Sequence, residues 1–340
     1  MTTMSRTAPG TPRDQARLLL GADVGGTRSR VTVAAADGTV LARATGAGFN
    51  RNSSGATGLD ALVDCVADAL AQAQAHLQRA PGAASPPEAP PGMPGRVIAV
   101  LGIAGAGPAH HHEVQGTVRG ALTARLGEQL AHEDIHVHDD LVTAFAAGSA
   151  DGDGLLLLAG TGAVAARYRG FREQARCDGM GWLLGDVGSA VWIGREVLQA
   201  AAADLDSRGP STALTAAVTD LLEVDAAAEA RRIDPRQALI AAVHRLAPAQ
   251  WGSAAPLAEP AAEQGDEVAA GILDRAADAL ISTVDAVRTE DDRTIVVAGS
   301  VIEHNQVISA RVHAALTERG LQILPADPPV EGALRLAAKH

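Results

Sequence analysis

The sequence has few aromatic residues, only two cysteines and fewer basic than acidic side chains, and each shortage excludes a class of function. Aromatic residues make up 2% of the chain, too few to build stacking platforms for single-stranded nucleic acid. The net charge of -12 has the wrong sign for gripping a phosphodiester backbone. Cys65 and Cys177 show neither CxxC spacing nor a disulfide framework, so we expect a cytoplasmic protein.

Long apolar runs are also missing. No stretch approaches the length of a membrane span, and the N-terminal segment lacks the apolar core of a signal peptide. We expect residues 1–16 to form a frayed tail, too short to hold a helix-turn-helix. A chain of 340 residues, 47% of them hydrophobic, is expected to fold as about two globular α/β domains.

The most informative stretch that is present covers residues 18–33. Two apolar strands flank the turn Gly25-Gly26-Thr27-Arg28. Glycines at such a turn let backbone N–H groups approach phosphate oxygens, and Asp23 at the end of the first strand is placed to hold Mg²⁺, directly or through water. An ordinary hairpin turn has the same pattern, so this turn alone leaves both interpretations open.

The rest of the pattern predicts a duplicated α/β architecture. The first half has the order β-β-β-α-β-α-β and contains a flexible insertion over residues 79–95 that is rich in Pro, Gly, Ala and Ser. The pattern restarts at residue 154 with an apolar strand and the turn Gly160-Thr161-Gly162. A mostly helical region over residues 187–287 and a buried strand over 294–298 follow. Two halves that each open with a glycine-rich hairpin predict two domains with a cleft between them.

Five motifs follow one another along the chain: Asp23-Val-Gly-Gly-Thr27, His138-Asp139-Asp140, Gly160-Thr161-Gly162, Gly185-Asp186-Val-Gly188-Ser189 and Ala298-Gly299-Ser300. In this order they resemble the sugar kinase and actin-like ATPase superfamily, and within it the branch of N-acetylglucosamine kinase and the BadF/BadG/BcrA-type ATPases. The resemblance implies two RNase-H-like domains around an interdomain cleft. The first would comprise residues 17–139 with 325–340, and the second residues 140–324 with a helical insertion.

The resemblance also implies roles for these motifs. The turn at Gly25 would be the phosphate-1 motif of an ATP site, Gly160-Thr161-Gly162 the phosphate-2 motif, and Gly299-Ser300 the adenosine motif. Asp140 would be the general base that takes the proton of a sugar hydroxyl, with Mg²⁺ at Asp23. An Asp at position 140 would equally suit a helix N-cap.

Several further positions are candidate sugar contacts by the same resemblance. Asn50 would offer its side chain to a sugar hydroxyl, although an ordinary turn residue would look the same. Ala104-Gly105 resembles the strand-end loop beside the sugar, with Ala104 in the place of a hydroxyl side chain. Thr161 and Asp186 are also expected near the sugar.

The segment from Cys177 to Trp182 departs from the Gly-Gly-Trp-Gly run of N-acetylglucosamine kinases. Asp178, with Met180 beside it, is predicted to pair with the ammonium group of unacetylated glucosamine, a contact that an N-acetyl amide cannot make. In this respect the chain resembles the glucosamine kinases of the branch. Two plainer interpretations stay open: Asp178 caps a turn, and Trp182 packs against protein instead of stacking on sugar.

We therefore predict a kinase that transfers phosphate from ATP, with Mg²⁺, to the 6-hydroxyl of glucosamine, with N-acetylglucosamine or another hexose as the alternative acceptor. A homodimer is implied by the resemblance, and the helical region over residues 196–278 would either form its interface or only cover the second domain. A sugar-responsive regulator or a BadF-type activator ATPase is less favoured, because we find no DNA-binding segment before Leu18 and no paired-thiol motif. The histidines at 110–112, 136 and 138 lack the spacing that would complete a zinc site, and we expect the first three in a loop.

Overall fold

The computed structural model describes residues 17–49, 55–79, 96–107, 109–127 and 130–340, so Asn50, residues 1–16 and most of the predicted insertion lie outside the described part. The chain divides into two units. Unit 1 comprises Met1–Ala150 with Ala326–His340, and unit 2 comprises Asp151–Pro325. The first division therefore falls later in the chain than the expected boundary at 139/140.

Unit 1 is built on a five-stranded sheet. The strands lie in the order β3-β2-β1-β4-β5; the first three pair antiparallel, and β4 and β5 continue the sheet parallel to β1. A 3₁₀ turn at His132–Asp134 precedes β5. The elements are β1 (Leu18–Val24), β2 (Arg28–Ala35), β3 (Val40–Ala47), α1 (Gly55–Arg79), β4 (Val97–Ile103), α2 (His111–Leu126), β5 (Ile135–Asp139), α3 (Asp140–Gly148) and, from the end of the chain, α13 (Pro329–Ala337).

Helices cover both faces of this sheet, which is why β4 is buried along its whole length. Alternate side chains of a strand point to opposite faces. Leu101 belongs to the apolar cluster that β4 forms with α1 and α2, whereas its neighbour Gly102 lies against Thr143 of α3. A Cβ at Gly332 of α13 would overlap the backbone of Thr143 and lie 2.6 Å from Ala147 N. This close contact between α3 and α13 explains why α3 belongs to unit 1 and why the boundary falls beyond it.

Unit 2 repeats the topology. Its strands lie in the order β10-β9-β6-β7-β8, with β6, β7 and β8 antiparallel and β9 and β10 parallel to β6. A 3₁₀ segment spans Pro248–Leu257. The elements are β6 (Gly154–Ala159), β7 (Ala163–Arg169), β8 (Arg172–Asp178), α4 (Gly181–Leu184), α5 (Ala190–Leu205), α6 (Leu214–Leu221), α7 (Val224–Arg231), α8 (Pro235–Val243), α9 (Ala258–Glu263), α10 (Glu267–Val287), β9 (Thr294–Ala298), α11 (Ser300–His304), α12 (Gln306–Glu318) and β10 (Gln322–Pro325).

Three local features differ from the sequence analysis. Strand β8 was not predicted because its segment, Arg-Glu-Gln-Ala-Arg-Cys-Asp, is mostly polar, as suits a sheet edge. Strand β10 was also not predicted, and it is only four residues long. Helix α2 begins at His111, so that His111 and His112 lie in its first turn and not in a loop.

Two searches of the described residues gave negative results. Among them, no three or more His, Cys, Asp or Glu side chains are grouped so that they could hold a metal ion. No helix in that part of the chain has both the length and the apolar character needed to cross a membrane.

Candidate active site

The predicted site residues of unit 1 that the structure describes lie at one edge of its sheet. Strands β1, β4 and β5 are parallel, and their registers place Asp23 opposite Gly102 and Gly102 opposite His138. Adjacent strands lie about 4.8 Å apart, so Asp23 and the end of β5 are separated by about 10 Å. Ala104-Gly105 follows β4 at this edge, and Asp140 follows β5. Thus the hairpin turn, Asp23, the strand-end loop and Asp140 are brought together.

Asp23 forms an ion pair with Arg30. Nη1 of Arg30 lies 3.2 Å from Asp23 Oδ2. Burial raises the pKa of the Asp23 carboxyl, and the charge and hydrogen bond of Arg30 partly oppose this rise. Because the carboxylate is largely removed from water, a divalent cation bound there would offset part of its desolvation cost. The sequence analysis did not identify Arg30 as a neighbour of the site. The period-two alternation of β2 places Arg30 on the same face as Arg28 and could have indicated it.

Gly48, a residue to which the sequence analysis gave no role, packs against the backbone of the glycine turn. Gly25 N–H donates to Arg28 O at 2.9 Å and closes the turn. A Cβ at Gly48 would overlap Gly25 O and Thr27 N and lie 2.5 Å from Arg28 N. Only glycine therefore fits at this position without displacing the turn. Its position directly after β3 and two residues before Asn50, a candidate sugar contact, could have indicated a role for Gly48.

Asp140 is the first residue of α3, and Asp139 before it is the N-cap, with φ -61° and ψ 142°. The alternative interpretation of Asp140 as the N-cap is therefore wrong by one position. The Thr143 hydroxyl donates to Asp140 O at 2.9 Å and fixes the backbone of this first turn. Since α3 starts where β5 ends, Asp140 stands at the sheet edge.

The predicted nucleotide motifs of unit 2 adjoin one another. The turn Gly160-Thr161-Gly162 follows β6 and Gly299-Ser300 follows β9, and these two strands are parallel neighbours. Gly160 N–H donates to Gly162 O at 2.9 Å. Gly299 has φ 107°, and a Cβ there would overlap Ala159 O. Glycine at position 299 is thus required both by its backbone conformation and by the contact with β6.

Asp186 lies against the turn at Gly160–Gly162. Its Oδ1 accepts a long hydrogen bond of 3.4 Å from Ala163 N–H, and a Cβ at Gly162 would lie 3.0 Å from its Oδ2. Asp186 has a left-handed backbone, with φ 54°. Burial raises the pKa of its carboxyl, and the nearby charge of Asp178 adds to that rise.

Asp178 binds backbone amides. Its Oδ1 accepts from Asp186 N–H at 2.7 Å and from Met180 N–H at 3.3 Å, and its Oδ2 accepts from Val187 N–H at 3.0 Å. Met180 is 63% exposed. Trp182 packs edge-on against Trp251, with 5.1 Å between ring centroids. The segment that was predicted to contact sugar therefore makes contacts within the protein through Asp178 and Trp182.

The two units share one strand order, which is the repeated topology of the sugar kinase and actin-like ATPase fold. Over 95% of this chain, the fold is similar to that of a provisionally named N-acetylglucosamine kinase from Chromobacterium violaceum, with 99% of that chain covered, a TM-score of 0.72 and 24% identity. It is also similar, over 95% of this chain and 98% of the other, to a ROK family glucokinase from Streptomyces griseus in complex with glucose and AMPPNP, with a TM-score of 0.53 and 17% identity. At these identities the similarity shows the fold alone.

Sequence comparison identifies the family. The model of the BadF/BadG/BcrA/BcrD ATPase family matches residues 20–335. An N-acetyl-D-glucosamine kinase of Dictyostelium discoideum is 28% identical over 232 residues, which cover 64% of this chain and 69% of that protein. The chain belongs to the BadF/BadG/BcrA/BcrD ATPase family, and the resemblance based on its five motifs is confirmed.

Proposed function

We propose that the protein is an ATP-dependent kinase that phosphorylates the 6-hydroxyl of an amino sugar. Membership of an ATPase family supports the use of ATP, and the relative named as an N-acetyl-D-glucosamine kinase supports a hydroxyl group of an amino sugar as the acceptor. The observation that carries the proposal is the position of Asp140. It stands at the carboxyl end of β5, at the same sheet edge as Asp23 and the glycine turn of the β1–β2 hairpin.

Each predicted motif has a role in this reaction. The turns Gly25-Gly26-Thr27-Arg28 and Gly160-Thr161-Gly162 would hold phosphate oxygens by backbone N–H groups, and Gly299-Ser300 would lie against the adenosine. Asp140 would take the proton of the sugar hydroxyl. The sugar oxygen would then bond to the γ-phosphorus while the bond from that phosphorus to the ADP oxygen breaks. Positioning and electrostatics supply most of the catalysis in such a transfer.

Asp23 fits Mg²⁺ by its chemistry. Magnesium in phosphate-transfer sites is commonly held by one or two carboxylates together with substrate phosphates and water, and Asp23 offers one carboxylate beside a turn of backbone amides. When bound, the ion would supply positive charge against the phosphates. Arg30 would then exchange its contact with Asp23 for one with solvent or phosphate.

N-acetylglucosamine is the acceptor that we propose, and glucosamine is the second candidate. The sequence-based choice of glucosamine depended on a free carboxylate at Asp178, whereas this carboxylate accepts hydrogen bonds from three backbone amides. The name of the Dictyostelium relative also supports the acetylated sugar. Glucosamine stays in the comparison because Asp178 and Asp186 together place negative charge where an ammonium group would be attracted.

The test offers the purified protein ATP and Mg²⁺ with N-acetylglucosamine, glucosamine, glucose and mannose in parallel. We expect the highest kcat/KM for N-acetylglucosamine, phosphate on the 6-oxygen by nuclear magnetic resonance, and loss of activity with a chelator. Turnover of glucosamine alone would contradict the proposed acceptor, and phosphorylation of none of the sugars would contradict the proposed function. Analytical ultracentrifugation of the same preparation tests the homodimer that accompanies this proposal.

A further inference from the structure

We propose that Asp178 is a positioning residue that holds the loop at residues 185–189 in the shape needed for sugar recognition, and is not itself a sugar ligand. This inference rests on the proposed function, because it takes Asp186 of that loop as the residue that faces the sugar. The Asp178 carboxylate ties the end of β8 to the segment of residues 185–189, the 185–189 loop.

The hydrogen bonds of Asp178 span the loop. Oδ1 accepts from Asp186 N–H at 2.7 Å and Oδ2 accepts from Val187 N–H at 3.0 Å, so one carboxylate binds two consecutive amides. Oδ1 also accepts from Met180 N–H at 3.3 Å. Hydrogen bonds from N–H groups to an ionised carboxylate are stronger than those between neutral groups. Asp178 therefore fixes the backbone on both sides of the Asp186 side chain.

The backbone around these bonds has a conformation that needs such support. Asp178 has φ 64° and Asp186 has φ 54°, and the left-handed region costs energy for residues other than glycine. A Cβ at Gly185 would overlap Asp178 Oδ1 and lie 2.8 Å from Met180 Cβ. Gly185 thus leaves the space that the Asp178 carboxylate fills, and the two residues fit together as one unit of structure.

The far end of the 185–189 loop is tied to the turn at Gly160–Gly162. Ser189 N–H donates to Asp186 O at 3.1 Å, and Ala190 N–H donates to Gly160 O at 2.8 Å. Near Asp178 itself, Gly179 N–H donates to Ala163 O at 2.9 Å. The position of the Asp186 carboxylate relative to the glycine turn therefore depends on a loop that Asp178 holds on one side and backbone bonds hold on the other.

The test compares Asp178→Asn and Asp178→Gly with the parent enzyme on both amino sugars. Asparagine keeps one acceptor oxygen and tolerates a left-handed backbone, whereas glycine removes the carboxylate without adding backbone strain. For Asp178→Asn we expect kcat/KM to fall about tenfold for both sugars, mainly through KM, because the amides of Asp186 and Val187 lose a charged acceptor. The fall should be larger for Asp178→Gly, and the Kd of AMPPNP should stay within about twofold of the parent value for both variants.

Hydrogen exchange provides a readout that does not depend on activity. We expect the amides of Asp186 and Val187 to exchange faster in both variants than in the parent protein. Asp266→Asn is the matched control, since Asp266 also accepts from two amides, those of Ala213 and Ala269, and from the Thr212 hydroxyl, elsewhere in unit 2. It should lower stability and leave the kinetics and the exchange at the 185–189 loop unchanged.

Two outcomes would overturn the inference. The first is a loss that falls on glucosamine and spares N-acetylglucosamine, because this would make Asp178 a direct partner of the ammonium group. The second is unchanged exchange of the Asp186 and Val187 amides in Asp178→Gly. If the parent protein phosphorylates neither sugar, the proposed function fails, and the exchange experiment still decides whether Asp178 holds the loop.

Discussion

Four carboxylates carry most of the chemistry assigned to this chain, and their surroundings separate their roles. Asp23 is buried beside Arg30, whereas Asp186 lies against a glycine turn. Asp178 accepts backbone amides. Asp140 begins α3 at the end of β5, which is the position expected for a base that receives the proton of a sugar hydroxyl.

Replacement of Asp140, the proposed base, should slow the chemistry strongly and leave sugar binding intact. For Asp140→Asn we expect kcat to fall by about 10² to 10⁴, the usual contribution of a positioned general base, because an amide cannot take the proton. Steady-state kinetics measures the fall, while calorimetric titration with the sugar and circular dichroism check that binding and folding persist. Asp139→Asn is the neighbouring control and should reduce kcat much less. A kcat within tenfold of the parent for Asp140→Asn would show that another group is the base.

A second prediction at this scale concerns His138 on β5. Burial lowers the pKa of His138 to about 4, and the charges of His136, His340, His111 and Arg119 act in the same direction. Its Nε2 is buried without a hydrogen-bond partner among the described residues. Between about pH 6.5 and about pH 4, His138 is protonated in the unfolded state and stays neutral in the folded state. The free energy of unfolding should therefore fall as pH drops from about 6.5 to about 4, by at most about 3 kcal/mol.

Urea denaturation at a series of pH values measures this loss in the parent protein and in His138→Gln. The variant should show a smaller loss on acidification. Some pH dependence should remain, because burial and the nearby His340 also lower the pKa of His136. Equal slopes of unfolding free energy against pH in the two proteins would contradict the prediction.

At the scale of elements, each glycine turn is positioned by its own hairpin and by one further segment of the same unit. In unit 1, the end of β3 brings Gly48 against the turn between β1 and β2. In unit 2, β9 brings Gly299 against the end of β6. Both turns are thus supported by the backbone of another segment, which gives their N–H groups a fixed arrangement.

A methyl group at Gly48 should weaken nucleotide binding, because it would overlap Gly25 O and Thr27 N. For Gly48→Ala we expect the Kd of ADP to rise about tenfold or more, measured by calorimetric titration. Gly120→Ala in α2 is the control: beyond its chain neighbours and the adjacent backbone of its own helix, no described atom lies within 4 Å of the added methyl group, and alanine favours the helix. A Kd for Gly48→Ala within about twofold of the parent would show that the turn does not contact phosphate.

At the scale of the whole molecule, unit 1 is assembled from two separate parts of the sequence, whereas unit 2 is continuous. Helix α13 returns to the sheet of unit 1 and buries Val330, Leu334 and Leu336 there. A Cβ at Gly21 of β1 would lie 2.6 Å from Val330 O, so the helix rests directly on the strand that carries Asp23. In the sequence, the whole of unit 2 therefore lies between the two parts of unit 1.

Removal of α13 should unfold unit 1 selectively. A chain that ends at Pro325 loses three large buried side chains, which together are worth on the order of 5 kcal/mol, comparable with the stability of a typical domain. Limited proteolysis should then cut within residues 17–150 and spare residues 151–325. A chain that ends at Ala338 retains α13 and should behave as the full chain does. Equal protease resistance of unit 1 in both chains would contradict this prediction.

Much of this molecule could be predicted from its local sequence. The meander of β1, β2 and β3, the buried strand β4 and the glycine turns follow from hydrophobic pattern and turn chemistry, both of which act over a few residues. The family followed from the order of five short motifs. The edge strand β8 could not be predicted, since a polar segment becomes a strand only when a neighbour such as β7 pairs with it.

The sequence by itself determined most of the elements, the duplication and the family, because these depend on side-chain periodicity and on residues close together in the chain. The tertiary structure alone decided what Asp178 binds, that Gly48 supports a turn more than twenty residues before it, and that α3 belongs with α13. The physical reason is the same in each case. Hydrogen bonds and close packing between segments depend on which backbone groups the fold brings within about 3 Å, and the local pattern does not contain that information.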